Sequence, residues 1–317
     1  MRASTTRRST ASPRTTLRAR AAAVGALAVA GSLLLSACGD QTDAAKEKDT
    51  KPSKGGDKTA AAPLADKLPK AIADAGVVKV GSDINYAPME FDEGGKPAGV
   101  DVDIAAAIGK ELGVEFKFEN GTFDNLIPSL DTGRYDVIMS AMSDTKERQA
   151  KVDFVDYFNA GVSILVKKGN PKGIQSLEDL CGKTIAFQRG TVSADVAKAA
   201  NKDACKDKKI KTLTFDTDTE ALLQVKQGRA VADLNDFPVA AYNAKTSGGG
   251  NDFEVAGDQI DEGPYGIAVS KKNGELRDAV SAALDAIIAN GEYAKVLEKW
   301  NVKQGGVEKA VLNGGAE

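Results

Sequence analysis

Between residues 77 and 300 short apolar runs alternate with amphipathic stretches, and this restricts the chain to an α/β fold of parallel-rich sheets covered by helices. Residues 77–81 read as a buried strand. Residues 102–112 read as a helix in which Ile104, Ile108 and Leu112 recur every four residues. Strands at 114–118 and 135–140 flank a helix at 124–132. A second series has strands at 163–167, 184–187, 212–215 and 231–234, interleaved with helices at 194–200, 219–227 and 237–243. A strand at 267–270 and helices at 275–289 and 292–300 end the pattern. About 225 residues is large for one core, so two lobes are expected. No repeat at solenoid spacing interrupts the series.

The chain ahead of this region has a different character. Residues 1–37 carry Arg2, Arg7, Arg8, Arg14, Arg18 and Arg20 and no acid, and then run apolar from 21 to 35. That run is shorter than the ~20 residues that span a bilayer and has the flanks of a signal peptide. Arg7 and Arg8 are not closely followed by an apolar residue, so they read as general basic charge. The run ends Leu35-Ser-Ala-Cys38-Gly, which resembles a lipobox, in which the cysteine sulfur receives diacylglycerol and becomes the mature N-terminus. The other reading is an ordinary export signal with an incidental cysteine. Residues 38–75 are expected to hold the lipidated cysteine and a flexible linker, since 39–62 contain almost no large apolar side chain. Such a tether reaches about 25–30 Å from the bilayer, and two acyl chains make a stable anchor.

Composition excludes several classes. Losing six arginines and no acid takes the net charge from −3 to about −9, which argues against nucleic acid as a partner. There is no histidine, so the usual general base and the commonest neutral metal ligand are missing, and neither a metal nor a cofactor is expected. With Cys38 committed to lipid, Cys181 and Cys205 remain as an even pair in an oxidising compartment. They are either bridged, closing a loop of about 25 residues for roughly 3–4 kcal/mol, or two buried thiols.

Residues 81–148 concentrate the chemistry. Asp83 and Tyr86 follow the first strand, Phe123 opens a helix, and Ser140, Ser143, Thr145 and Arg148 are spaced along a loop-to-helix segment. An arginine fork grips a carboxylate through two parallel charge-assisted bonds, hydroxyls fill the remaining lone pairs, and aromatic faces hold aliphatic carbon. These are the parts needed to hold a free amino acid.

At these residues the chain resembles the polar amino-acid-binding proteins of ABC importers, extracellular solute-binding family 3. The resemblance rests on ordered blocks: Gly81-Ser-Asp-Ile-Asn-Tyr-Ala-Pro, Gly99-Val-Asp-Val-Asp-Ile, Phe123-Asp-Asn-Leu-Ile-Pro-Ser-Leu and Ser143-Asp-Thr-Lys-Glu-Arg148. Gln188-Arg-Gly-Thr, Asp233-Leu-Asn-Asp236, Pro264-Tyr-Gly-Ile and Gly291-Glu-Tyr-Ala-Lys before Trp300 continue it, over 76–302. It implies a two-lobed periplasmic-binding-protein-like (type II) α/β fold with the ligand in the cleft. Lobe 1 would comprise 76–160 plus 265–302, lobe 2 161–264, and 303–317 a C-terminal tail, with two crossing strands as hinge.

The resemblance assigns Arg148 to the ligand α-carboxylate and Asp236 to the α-ammonium. From the residues alone, Arg148 also reads as an exposed helix arginine, although the spacing Ser143-x-Thr-x-x-Arg favours the clamp, and Asp236 as a helix N-cap before Phe237-Pro238, a role that can coexist with the first. Gly190 and Thr191 would offer a helix N-terminus to the carboxylate, or Thr191 and Ser193 would merely cap that helix. Val192 stands where many relatives place a second hydroxyl. Tyr86 and Phe123 become the aromatic walls, although an aromatic after a strand is often core. Asp83 points at the far end of the ligand, or forms an Asx turn with Asn85. Ser140 and Ser143 donate to the carboxylate or cap the helix of Arg148.

Three functions fit. The first is a lipid-anchored receptor that closes on an amino acid and delivers it to the permease subunits of an importer, with arginine, lysine, ornithine or glutamine as ligand. The second is an extracytoplasmic dehydratase-like enzyme on the same fold, using Asp83 or Asp236. The third is a ligand-binding partner of a signalling receptor. The full amino-acid clamp and the missing histidine favour the first.

Overall fold

In the computed structural model residues 62–315 are described, and Cys38 with the signal-like segment lies outside them. Residues 62–75, expected in the linker, are folded. A 3₁₀ turn at Ala65–Lys67 precedes helix α1 (Lys70–Ala75), and Leu68 and Ile72 are buried. Two apolar residues four apart are too few to register as a periodic pattern, yet they dock this single turn on the core.

Strand β1 (Val77–Ser82) comes next, then β2 (Asn85–Tyr86), β3 (Glu90–Asp92) and β4 (Pro97–Ala98), which form a small antiparallel sheet. Helix α2 (Val100–Leu112) starts two residues before the periodic pattern does, because Gly99 turns the chain at φ 134°. A Cβ at Gly99 would lie 2.2 Å from the Met89 carbonyl oxygen, so the turn requires glycine. Asp101 and Asp103 in the first turn and Lys110 in the last complement the helix dipole. Strand β5 (Glu115–Asn120), helix α3 (Leu126–Asp131), strand β6 (Val137–Ile138) and helix α4 (Lys146–Gln149) complete this part.

Strand β7 (Val152–Lys167) runs for 16 residues. Its sequence reads as a strand only from 163, because Asp153, Asp156, Asn159 and Gly161 interrupt the apolar run. Strand β8 (Thr184–Gln188), helix α5 (Val192–Lys202), strand β9 (Lys211–Phe215), helix α6 (Asp218–Lys226), strand β10 (Ala232–Asp236) and helix α7 (Phe237–Thr246) follow. Thr217 and Glu220 form a reciprocal capping box at the start of α6. A disulfide joins Cys181 to Cys205 with Cα atoms 5.1 Å apart, tying the turn before β8 to the segment after α5. Strand β11 (Phe253–Ser270), helices α8 (Gly274–Ala289) and α9 (Glu292–Trp300) and strand β12 (Val311–Leu312) end the described chain.

The main sheet runs β5-β1-β6-β11-β7-β10-β8-β9, with β12 added on β7. β1 is parallel to β5 and β6, and β8 is parallel to β9 and β10. The antiparallel pair β7 and β11 passes through both halves, and its register shifts between Ala256 and Gly266. Each half buries apolar side chains on two sides of the sheet. Val78, Val80 and Ile267 pack with Ile104, Leu276 and Leu284, while Ile138 and Phe154 pack with Leu126. In the other half Ile164, Val166 and Ile185 pack with Val196, and Leu165 and Ala186 with Leu222 and Ala240. This alternation along β7 is the period of two that a strand covered on both faces must show. The result is a two-lobed α/β fold whose carboxyl strand ends face a cleft, the usual place for a ligand in open α/β sheets.

Candidate functional site

A narrow cavity lies between the lobes, lined by Asp83, Tyr86, Glu90, Phe123, Ala141, Ser143, Arg148, Gln188, Thr191, Val192 and Asp236. Seven of these are residues singled out in the sequence, gathered from positions up to 153 residues apart. Ser140 sits behind the wall, and Gly190 lies exposed beside it, its carbonyl accepting Arg148.

Arg148 is held by α4, whose N-cap Thr145 accepts the Arg148 backbone N–H at 3.3 Å. The capping role considered for Ser143 thus belongs to Thr145. The guanidinium donates through Nη1 to the Ser143 carbonyl at 2.7 Å and through Nη2 to the Gly190 carbonyl at 2.9 Å. It also lies over the Phe123 ring, 5.4 Å from the centroid. A guanidinium has five N–H donors, and the other three have no protein acceptor among the described residues. Burial lowers the Arg148 pKa, and Asp236 is the strongest of the charges that offset this.

Asp236 is the N-cap residue of α7, but its side chain makes no capping bond. Oδ2 instead accepts the Tyr86 hydroxyl at 3.0 Å, and the Asp236 backbone N–H donates to that same hydroxyl at 3.0 Å. Burial pushes the Asp236 carboxyl up to about 6, against the pull of Tyr265, Tyr86 and Arg148. Tyr86 is therefore more than a wall: it links β2 to β10 across the cleft.

Asp83 does not form the Asx turn, since the Asn85 backbone N–H donates to the Asp83 carbonyl at 2.8 Å; the Asn85 Nδ2 donates to Asp83 Oδ1 at 2.9 Å, while Gln188 Nε2 donates to Oδ2. Burial raises the Asp83 pKa, and the two amides lower it. The Ser140 hydroxyl is spent inside lobe 1, accepting the Asp83 N–H at 3.0 Å and donating to Glu90 Oε1 at 2.9 Å. It positions the acids and does not line the cavity.

The first turn of α5 opens on the cavity at Thr191 and Val192, so the helix dipole favours an anion there. Neither hydroxyl considered as a cap serves as one. Thr191 Oγ1 donates to the Gln188 carbonyl at 2.8 Å and Ser193 Oγ to the Leu234 carbonyl at 2.9 Å. Gly190 has φ +78°, and a Cβ there would meet the Asp124 Cβ at 2.9 Å. Only glycine lets this loop approach the opposite lobe so closely.

Sequence reasoning missed Glu90 and Gln188 on the wall and Asp101, Asp218 and Asp233 behind it. Glu90 and Asp101 form one buried pair of carboxyls, Asp218 and Asp233 another. Burial, then Asp101, pushes Glu90 well above the carboxylate range, and burial lifts Asp218 to about 7. Gln188, Asp101 and Asp233 lie within the quoted sequence blocks, so a signal was present without a role attached. Among the described residues no cluster of three or more His, Cys, Asp or Glu has the arrangement of a metal site, and no helix is long and apolar enough to cross a membrane.

Arg148, Asp236 and the rings of Tyr86 and Phe123 thus line one cavity, in a chain that is similar to proteins named for binding amino acids. The arginine-binding protein ArgT of Corynebacterium glutamicum is 32% identical over 250 residues, 78% of this chain and 81% of that one. The structure of an ancestral arginine-binding protein bound to arginine aligns with a TM-score of 0.66 at 40% identity, covering 71% of this chain and 98% of that one. An ancestral arginine-binding protein bound to glutamine aligns with a TM-score of 0.65 at 40% identity, over 72% and 98%. The family model for bacterial extracellular solute-binding proteins, family 3, matches residues 78–303. The chain belongs to that family.

Proposed function

We propose that this protein captures a polar or cationic amino acid (arginine, lysine, ornithine or glutamine) outside the cytoplasm and hands it to the permease subunits of an ABC importer. The observation that carries this reading is that Arg148, Asp236, Tyr86 and Phe123 line one cavity, with Arg148 and Asp236 near enough for each charge to favour the other. Three unspent guanidinium donors suit an α-carboxylate, and an ionised Asp236 suits an α-ammonium. Asp83 and Glu90 make the rest of the wall acidic, which repels a second ligand carboxylate and accepts a cationic or amide end. The names of the similar proteins, arginine-binding in each case and with glutamine bound in one, support the same ligand class.

Lobe closure is the output. A ligand shifts that equilibrium only by its differential affinity for the closed state, and Arg148 and Tyr86 already bridge the lobes here. Anchoring through a diacylglyceryl Cys38 belongs to the same reading. A C38A variant should be released into the medium while wild type stays with the membrane fraction.

The test of ligand class is a thermal-shift screen of the secreted domain against the twenty amino acids plus ornithine and citrulline. A ligand at 100 times its Kd adds about 2.7 kcal/mol. Arginine, lysine, ornithine or glutamine should raise Tm, with glutamate and aspartate inert. A preference for glutamate would overturn the placement of Asp83 and Glu90, and no response to any amino acid would overturn the function.

A further inference from the structure

Glu90, on β3, forms part of the cavity wall and is 1% exposed. Its Oε1 accepts the Ser140 hydroxyl at 2.9 Å, while its buried Oε2 has no donor among the described residues. Behind it stands Asp101 of α2, within hydrogen-bond reach of Glu90. Asp101 is better supplied: Tyr157 donates its hydroxyl at 2.7 Å and Ala141 its backbone N–H at 3.0 Å. The other titratable groups around Glu90 are Tyr157 of β7, Tyr265 of β11 and Asp83 beyond β1, none of them cationic. The cation on the same cavity is Arg148, already turned toward Ser143 and Gly190.

Two carboxyls in contact, out of water and without a cation, cannot both be ionised. Glu90 has one donor and Asp101 has two, so Glu90 is the one that keeps a proton. Burial and Asp101 both push the Glu90 carboxyl upward. Asp83 is different, since each of its oxygens already accepts an amide N–H.

We propose that the Glu90–Asp101 pair reads the far end of the ligand, giving up its one proton when a guanidinium or ammonium enters the cavity and keeping it when an amide enters. The charge balances in both cases. A cationic end replaces the departing proton, which goes to solvent, and Glu90 becomes the counter-ion. A neutral amide leaves the pair singly charged and exchanges hydrogen bonds with it. One wall thereby accepts both arginine and glutamine, at different proton cost. The proposal rests on the amino-acid reading of the cavity given above.

The experiment is calorimetry at pH 7.5 with L-arginine and with L-glutamine, each in phosphate and in Tris, whose ionisation enthalpies differ. The α-groups of the two ligands are the same, so the difference in proton count isolates the far end. Arginine should release about one proton more than glutamine. Glu90→Gln, an isostere of the protonated acid, should abolish that difference and lower the ratio of arginine to glutamine affinity by roughly tenfold or more. Its ligand-free melting curve checks that it folds, and the wild-type proton difference decides the matter if it does not. Equal proton release by the two ligands, or a release that persists in Glu90→Gln, overturns this proposal while leaving the binding function standing. Absence of binding by either amino acid overturns both.

Discussion

At the scale of single residues, the cavity draws its specificity from groups that have few alternatives. Arg148 spends two donors on carbonyls of opposite lobes, and its other three have no protein acceptor among the described residues. Arg148→Ala should therefore abolish amino-acid binding, since removing one partner of a desolvated charge pair costs several kcal/mol. Its exposed helix should keep the fold intact, and calorimetry beside a melting curve checks both. Asp83→Asn should weaken a cationic ligand far more than glutamine in the same assay. Gly190→Ala adds a Cβ at φ +78° against Asp124, so it should weaken ligand binding by holding the lobes apart and also lower the ligand-free Tm, because alanine is strained at that φ. The residues that sequence spacing could point to are those in local blocks, such as Ser143-x-Thr-x-x-Arg148. Gln188 was not legible because its importance comes from closure, where it meets Asp83 from 105 positions away; Glu90 was not, because its partner Ser140 lies 50 positions on in the same lobe, and nothing local announces it.

At the scale of elements, most strands and helices were legible from periodicity, and the exceptions have a common physical cause. β6 is two residues long where a strand at 135–140 was expected, because the chain leaves the sheet to place Ser140 and Ala141 beside Glu90 and Asp101. β7 and β11 were only half visible, since their middle parts carry polar residues and glycine where the chain crosses between lobes. The disulfide is an element-scale tie: Cys181 and Cys205 are separated by 24 positions. Its loss should cost about 3–4 kcal/mol in the chain-entropy model. The double variant Cys181→Ser/Cys205→Ser should melt correspondingly lower in calorimetry, and alkylation of the secreted protein without reductant should label neither cysteine.

At the scale of the whole molecule, the buried acids set how stability follows pH. Burial, with like-charge neighbours at some sites, raises Asp101 and Asp236 to about 6 and Asp156 and Asp218 to about 7. A carboxyl whose folded pKa lies above its unfolded value of about 4 stabilises the fold below that value and loses the contribution as pH rises through the folded pKa. The ligand-free protein should thus melt several degrees higher at pH 5 than at pH 8. Asp153 acts in the opposite sense: burial opposes its charge, but Lys271, Arg277 and Asn313 outweigh this and hold it below the usual range. That contribution is lost only under more acid conditions, outside this window. A Tm that falls steadily from pH 8 to pH 5 would contradict the neutral state of these pairs.

Val162 and Ile260 are register partners on β7 and β11, so the chain between them departs from and returns to one point on the sheet. That stretch behaves like a cassette with its two splice points side by side. It carries Asp236, Thr191 and Gln188, while Asp83, Glu90 and Arg148 stay with the recipient. Exchanging it between two relatives would need only adjacent junctions, and it would transplant Asp236, the proposed partner of the ligand amine, while the cassette's hydrogen bond to the proposed far-end residues is the one from Gln188 to Asp83, so Gln188 is kept in both partners. Chimeras cut there should inherit their choice between arginine and glutamine from the recipient body and not from the cassette.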